Sequence, residues 1–252
     1  MSLRRLYLPP SVILGLILCL LLAACAGTPT PLAVDSSGAD VPASQTTANP
    51  LAIYDPWSGF NRRMYRFNAW LDDAVLLPVV HGYRAVTPRS VRRGVGNFFS
   101  NIGEINTFAN ALLQLKPRAT MTTFWRFVIN TTVGIGGLFD PAGALGLPQY
   151  HEDFGQTLAV YGVKTGPYLV LPLFGPSTLR DSFGLATDKF ALFTLDPLSL
   201  DGHKWARAAY LALSTINKRN NVSFRYYQTG SPFEYELVRL IYINFRALQV
   251  AQ

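Results

Sequence analysis

The segment from Arg126 to Leu147, RFVINTTVGIGGLFDPAGALGL, carries a single charged side chain, Asp140, after its opening arginine. So apolar a run has two possible surroundings, the core of a soluble domain or the hydrocarbon of a bilayer. A helix that crosses a bilayer needs about 20 consecutive apolar residues, whereas Gly134, Gly136 and Gly137, and then Asp140-Pro141, interrupt this one. From Phe124 to Ile129 the chain is apolar on all sides apart from Arg126, which predicts burial all round, in protein or in lipid. The glycines predict a turn, and the half from Leu138 to Tyr150, interrupted by Asp140-Pro141 and Pro148, completes a hairpin. A hydrocarbon core about 30 Å thick leaves about 15 Å per leaflet, a depth that about 10 helical residues cover. Each arm therefore suits one leaflet. A second run without charge, TGPYLVLPLFGPSTL from Thr165 to Leu179, is broken by three prolines and cannot span either. Irregular backbone at such depth is tolerated only when protein encloses it or it lines a wet cavity.

The amino terminus bears on which surrounding applies. Arg4 and Arg5 precede an apolar run from Val12 to Leu22 that is too short to span and has the form of a secretory signal. It leads into Leu22-Ala23-Ala24-Cys25, the pattern of a bacterial lipobox, so residues 1–24 are expected to be cleaved and Cys25 to be the site of lipid attachment. Cys19 leaves with the signal, and a mature chain with one cysteine has no intramolecular disulfide. Each buried CH₂ of an acyl chain contributes about 0.8 kcal/mol, so anchoring is solved at Cys25, and the apolar runs farther along need a reason of their own. Ala26, rather than Asp, after the cysteine points to the outer membrane under the sorting rule of enteric-type bacteria. Residues 25–50 are small, polar and proline-rich without aromatics, which predicts a flexible tether. The remainder, 51–252, is expected to form one domain. With 49% hydrophobic and 15% charged residues, the chain is apolar for a soluble protein and is no disordered polymer.

Within the domain the periodicity is helical. Asp55-Pro56 is an N-cap followed by proline at the first helical position. Trp57, Phe60, Met64, Phe67, Leu71 and Ala74 then mark one apolar face, with Arg62, Arg63 and Arg66 off it and Pro78 ending the segment. A second helical run extends from Pro88 to Leu115, where Gly94, Gly96 and Gly103 imply breaks or close packing, and a third opens at Pro117. Near the end, Ser231, Pro232 and Glu234 form a capping box ahead of an apolar face made by Leu237, Leu240, Ile241, Phe245 and Leu248. Only PYLVLPL resembles a strand. The fold class is mainly α.

Chemistry-bearing motifs are sparse. His151-Glu152 lacks a second histidine at ligand spacing, so a loop is the better reading than a metal site. The Gly134–Gly137 cluster has no following GK[ST], and Ser177 has neither a GxSxG context nor an evident base. No cofactor is expected. Lys and Arg number 22 against 15 Asp and Glu, an excess that suits anionic head groups, while the export signal disfavours nucleic acid. A lipolytic enzyme and a purely structural lipoprotein are the alternatives to a lipid-binding protein.

Three blocks in succession, DPWSGFNRRMYRFNAWLD, RFVINTTVGIGGLFDPAG and HEDFGQTLAVYGVKTGPYLVLPLFGPSTLRD, resemble signature blocks of the MlaA (VacJ) lipoproteins of Gram-negative outer membranes. That resemblance covers roughly Asp55 to Asp188. It implies a non-enzymatic, ring-shaped monomer lying in the inner leaflet of the outer membrane, with a central amphipathic channel and a re-entrant glycine-rich helical hairpin. It further implies removal of mislocalised outer-leaflet phospholipid, a trimeric porin alongside, and a soluble periplasmic carrier that receives the lipid. By the same resemblance Gly134, Gly136, Gly137, Leu138, Phe139, Asp140 and Pro141 belong to the hairpin beside the channel. Phe67 and Asn68 fall at positions linked to control of lipid flow, against a plainer reading as a packing residue and an exposed amide. Gly166, Pro167, Tyr168, Pro172, Gly175, Arg180 and Asp181 fall in the ring wall, the last two facing the channel or pairing with other charges. Ile105 stands where the family pattern has proline.

Overall fold

The computed structural model describes residues 53–251. The expected signal peptide (1–24), Cys25 and the tether (25–50) lie outside the described residues. Nine helices and one two-stranded sheet follow in these: α1 (Ser58–Leu71), α2 (Leu77–Val86), α3 (Arg89–Leu113), α4 (Pro117–Thr132), the single turn α5 (Pro141–Ala144), α6 (Phe154–Val160), β1 (Tyr168–Leu171), β2 (Gly175–Thr178), α7 (Leu179–Leu195), α8 (Lys204–Asn220) and α9 (Glu234–Ala251). The fold is mainly helical, as the periodicity predicts.

Several local expectations change. Asp55 does not cap α1, whose cap position is Trp57. Its carboxylate instead accepts from Asn61 Nδ2 at 2.8 Å, the Tyr235 hydroxyl at 2.6 Å and Arg239 at 2.9 Å, tying the start of the domain to α9. Pro78 does not end the first helical segment either. A π turn, Asp72–Leu76, joins α1 to α2, and the Leu77 N–H reaches back to the Asp72 carbonyl. Widening the helix there accommodates a proline that lacks an N–H and crowds the preceding turn. Through Gly94, Gly96 and Gly103, α3 runs unbroken for 25 residues. At Gly94 a Cβ would lie 3.5 Å from the Leu138 carbonyl, an ordinary contact, so the packing there does not require glycine. Glu234 forms no reciprocal cap with Ser231. Its carboxylate turns to the Tyr65 hydroxyl, the N–H groups of Tyr227 and Thr229 and the Thr229 hydroxyl, where it has more donors than a capping box offers.

The strand-like segment forms β1, which pairs antiparallel with β2 from Tyr168 opposite Thr178 to Leu171 opposite Gly175. Thr178 then caps α7 by accepting from the Asp181 N–H at 3.2 Å. At the contact between α6 and α7, a Cβ on Gly184 would fall 2.3 Å from the Gly155 nitrogen, so only glycine lets these backbones approach.

The main departure from a soluble fold is which faces are inside. Among the described residues, buried polar and charged side chains outnumber buried apolar ones about two to one, while roughly forty large apolar side chains are exposed. On α1 the inward face is Asn61, Tyr65, Asn68 and Ala69; Trp57, Phe60 and Phe67 point outward. On α9 the inward face is Glu234, Tyr235, Arg239 and Arg246, and Leu237, Ile241, Phe245 and Leu248 are exposed. A small apolar cluster of Tyr65, Tyr168, Val170 and Tyr235 sits where α1, β1 and α9 meet. No described helix is long and apolar enough to cross a membrane.

Candidate functional site

The polar interior begins along the seam between α3 and α4. Asn101, Glu104, Thr107 and Asn110 recur every three residues on α3 and are all buried, as are Thr123, Arg126 and Asn130 on the facing side of α4. Arg126, only 3% exposed, donates from Nε to Glu104 at 2.8 Å and from an Nη to the Leu147 carbonyl at 2.7 Å. Its other Nη meets Asp140 at 3.2 Å. Burial raises the pKa of Glu104 in spite of Arg126. Asp140 is pushed up by burial too, but the Gly143 N–H, Asn130 and Arg126 together hold it below the usual carboxylate range.

These contacts shape the hairpin. Its ascending limb is α4. The descending limb is not a second helical arm: glycine and proline leave it one helical turn, α5, and irregular chain that Arg126 staples at Asp140 and at Leu147. Asn130 closes the loop, donating to Asp140 at 2.9 Å and accepting from the Ala142 N–H at 3.0 Å. At the tip, Gly137 has φ +88° and a Cβ there would meet Asn101 at 2.6 Å; Gly136 has φ +66° with open space beside it. A Cβ on Gly134 would fall 2.4 Å from the Asn130 carbonyl. Asn97 donates to the Leu138 carbonyl at 3.2 Å and pins the tip to α3, while Leu138 and Phe139 are exposed. Pro141 occupies the first position of α5.

The second group of sequence-selected residues surrounds the β hairpin. Asn68 is buried rather than an exposed amide, and it bridges the β1–β2 turn by donating to the Leu171 carbonyl at 2.9 Å and accepting from the Leu173 N–H at 2.8 Å. Phe67 next to it is 40% exposed and does not pack inside. Asn61 repeats the arrangement two turns earlier with the Tyr168 carbonyl and the Val170 N–H. Tyr168 is fully buried against the rings of Tyr235 and Tyr242. Pro172 lies in the exposed turn between the strands, Gly175 opens β2 at φ +81°, and Gly166 and Pro167 precede β1, the Pro167 carbonyl accepting from the Leu179 N–H.

Arg180 and Asp181 pair with each other, and Asp181 also with Arg246. Arg246 of α9 grips Asp181 through Nε and an Nη, each at 3.0 Å, and Asp153 at 2.6 and 2.9 Å. Arg180 and the Tyr242 hydroxyl complete the coordination of Asp181. Burial works to raise Asp153 and Asp181, but the bonds and charge of Arg246 prevail and keep both low. No hydrogen bond or ion pair among the described residues joins the Gly134–Pro141 hairpin to Asn68 or the β hairpin. Sequence reasoning missed Glu104, Asn130, Asp153 and Arg246; the three- and four-residue spacing of amides and charges along α3, α4 and α9 was the available signal for all but Asp153, which caps α6. Ser177 is buried, and its hydroxyl is paired with Ser182. His151 is exposed, and Glu152 receives Lys116 at 3.0 Å. No group of carboxylates, histidines or cysteines among the described residues is placed to hold a metal.

Among the described residues, polar side chains pair with one another inside while large apolar ones are displayed outside, the pattern expected of a helical protein that stands in apolar surroundings. Residues 53–249 match the MlaA lipoprotein family. The chain belongs to that family. It is 41% identical over 140 residues to the intermembrane phospholipid transport system lipoprotein MlaA of Escherichia coli, covering 54% of this chain and 56% of that one. A Rickettsia felis protein is 45% identical over 169 residues, 67% of this chain and 66% of its own, so the chain spans just under two thirds of that relative. A solved structure concerning the structural basis for maintenance of bacterial outer membrane lipid asymmetry superposes with a TM-score of 0.63 at 34% identity, covering 78% of this chain and 98% of the other.

Proposed function

We propose that this protein is an outer-membrane lipoprotein, anchored at Cys25 on the periplasmic side, that removes mislocalised phospholipid from the outer leaflet. In this reading the domain is a ring in the inner leaflet, lipid passes through its central channel to a soluble periplasmic carrier, and a trimeric porin stands beside it. No covalent chemistry is required. The observation that carries the proposal is the inversion of burial: among the described residues, apolar side chains cover the outside, no helix is long and apolar enough to cross a membrane, and hydrogen-bonded amides and ion pairs fill the inside. A protein immersed in one leaflet while admitting a charged head group needs both. The relatives named for intermembrane phospholipid transport and the structure concerned with lipid asymmetry support the same reading.

The test is the phospholipid content of the outer leaflet in a strain lacking the protein, restored with wild type or with Cys25→Ala. Accumulation corrected only by the lipidated form is the expected result. Unchanged outer-leaflet phospholipid in the deletion strain would remove the proposed role.

A further inference from the structure

A cleft of about 460 Å³ opens between α1, the loop before α9 and the first residues of α9. Arg62 and Arg66, one helical turn apart, both line it, with Tyr65 beneath them and Tyr227, Ser231 and Tyr235 opposite. Like charges at this spacing repel. Arg62 is relieved by an ion pair with Glu236 and lies 4.6 Å from the centre of the Tyr235 ring. Arg66 has no ion pair or hydrogen bond among the described residues. Glu234, also lining the cleft, does not serve it, because four donors from Tyr65, Tyr227 and Thr229 already engage both its oxygens. Those bonds hold Tyr227, a non-glycine residue at φ +58°, in a conformation that persists only where its surroundings impose it. Ser231 accepts from the Phe233 N–H, which leaves its own O–H to donate. Phe233, between the lining residues Pro232 and Glu234 in sequence, is 67% exposed.

We propose that this cleft binds the phosphate of an amphiphile, its oxygens held by Arg66 and the remaining N–H groups of Arg62, with the Ser231 and Tyr227 hydroxyls as further donors. The planar guanidinium fork suits a phosphate oxyanion. Free phosphate presents the same chemistry, but the cleft has the volume of a small-molecule site and the exposed Phe233 is next in sequence to its lining, which suits a glycerophosphate head group whose chains leave on that side. Only the choice of probe rests on the lipid-handling reading above.

The test is calorimetric titration of the full-length lipoprotein in neutral detergent with dihexanoyl phosphatidylglycerol below its micelle concentration, alongside inorganic phosphate and dihexanoylglycerol. The short-chain phospholipid should saturate the site and bind more tightly than either fragment. Arg66→Gln should weaken it about tenfold or more, Arg66→Lys should recover part of the loss, and Arg93→Gln on α3 should leave it unchanged. Wild-type affinity in Arg66→Gln, or inorganic phosphate bound as tightly as the phospholipid, would overturn the assignment. Such a failure leaves the deletion strain's outer-leaflet phenotype untouched, so the two readings fail separately.

Discussion

Replacing Arg126 by methionine tests whether the polar seam holds the hairpin. The substitution keeps an unbranched, shorter stem and removes a guanidinium that serves Glu104 at 2.8 Å, the Leu147 carbonyl at 2.7 Å and Asp140 at 3.2 Å. Glu104 is 1% exposed and would be left as a buried carboxylate without a cation. Breaking a buried pair from one side costs about 3–5 kcal/mol. A proton offers partial escape, because burial already lifts Glu104 above its ordinary value against the pull of Arg126, and loss of that pull lifts it further. A carboxyl whose folded pKa exceeds its unfolded one contributes stability that is complete below the unfolded pKa and is lost as pH rises through the folded one. The penalty of Arg126→Met should therefore be smaller in mildly acid buffer than at neutral pH. Adding Glu104→Gln removes the stranded charge and should recover about 2 kcal/mol. Denaturant unfolding in neutral detergent, followed by circular dichroism across pH and over the full double-mutant cycle, measures each quantity. A cost below about 1 kcal/mol for Arg126→Met, or no recovery on adding Glu104→Gln, would refute the reasoning.

Asp153 and Asp181 lie below their ordinary value of 3.8, so they contribute stability above that value that is lost as pH falls through their folded pKa; Asp181→Asn should flatten the acid limb of the stability curve. Gly137→Ala should cost about 2–4 kcal/mol, since φ is +88° and Asn101 is in the way, whereas Gly136→Ala should cost about 1 kcal/mol, which paired thermal melts will resolve. Gly136→Pro is incompatible with φ +66° and removes the N–H that bonds the Thr131 carbonyl. It should impair lipid removal while export continues, and normal lipid asymmetry in that strain would count against a role for the hairpin. Asn68→Leu strands the Leu171 carbonyl and the Leu173 N–H at a cost of about 2 kcal/mol, and hydrogen exchange at the Leu173 amide should accelerate.

Helix positions were legible because proline and glycine act locally: Pro117 opens α4 and Gly136 and Gly137 end the ascending limb as their dihedral preferences require. Pro78 shows the limit, since a π turn absorbed what a straight helix would not. Periodicity also separated the two faces of α1 and α9 but could not say which is inside. That choice depends on the surrounding medium, and an apolar stripe looks the same whether it meets a core or a lipid. The polar stripe was the better guide: Asn61, Tyr65, Asn68 and Asp72, spaced by four, three and four, are the buried side of α1 and the turn after it. Pairings over long separations, such as Arg246 with Asp153 and Asp181, had no local signature at all.

The outward aromatic and aliphatic side chains also bear on how such a molecule reaches its place of work. In water a surface of this kind associates with itself. A folded copy therefore does not persist as a free monomer in water unless something covers that surface. Under the proposed lipid-handling role, keeping apolar surface from water is then a problem twice over, once for the cargo and once for the protein.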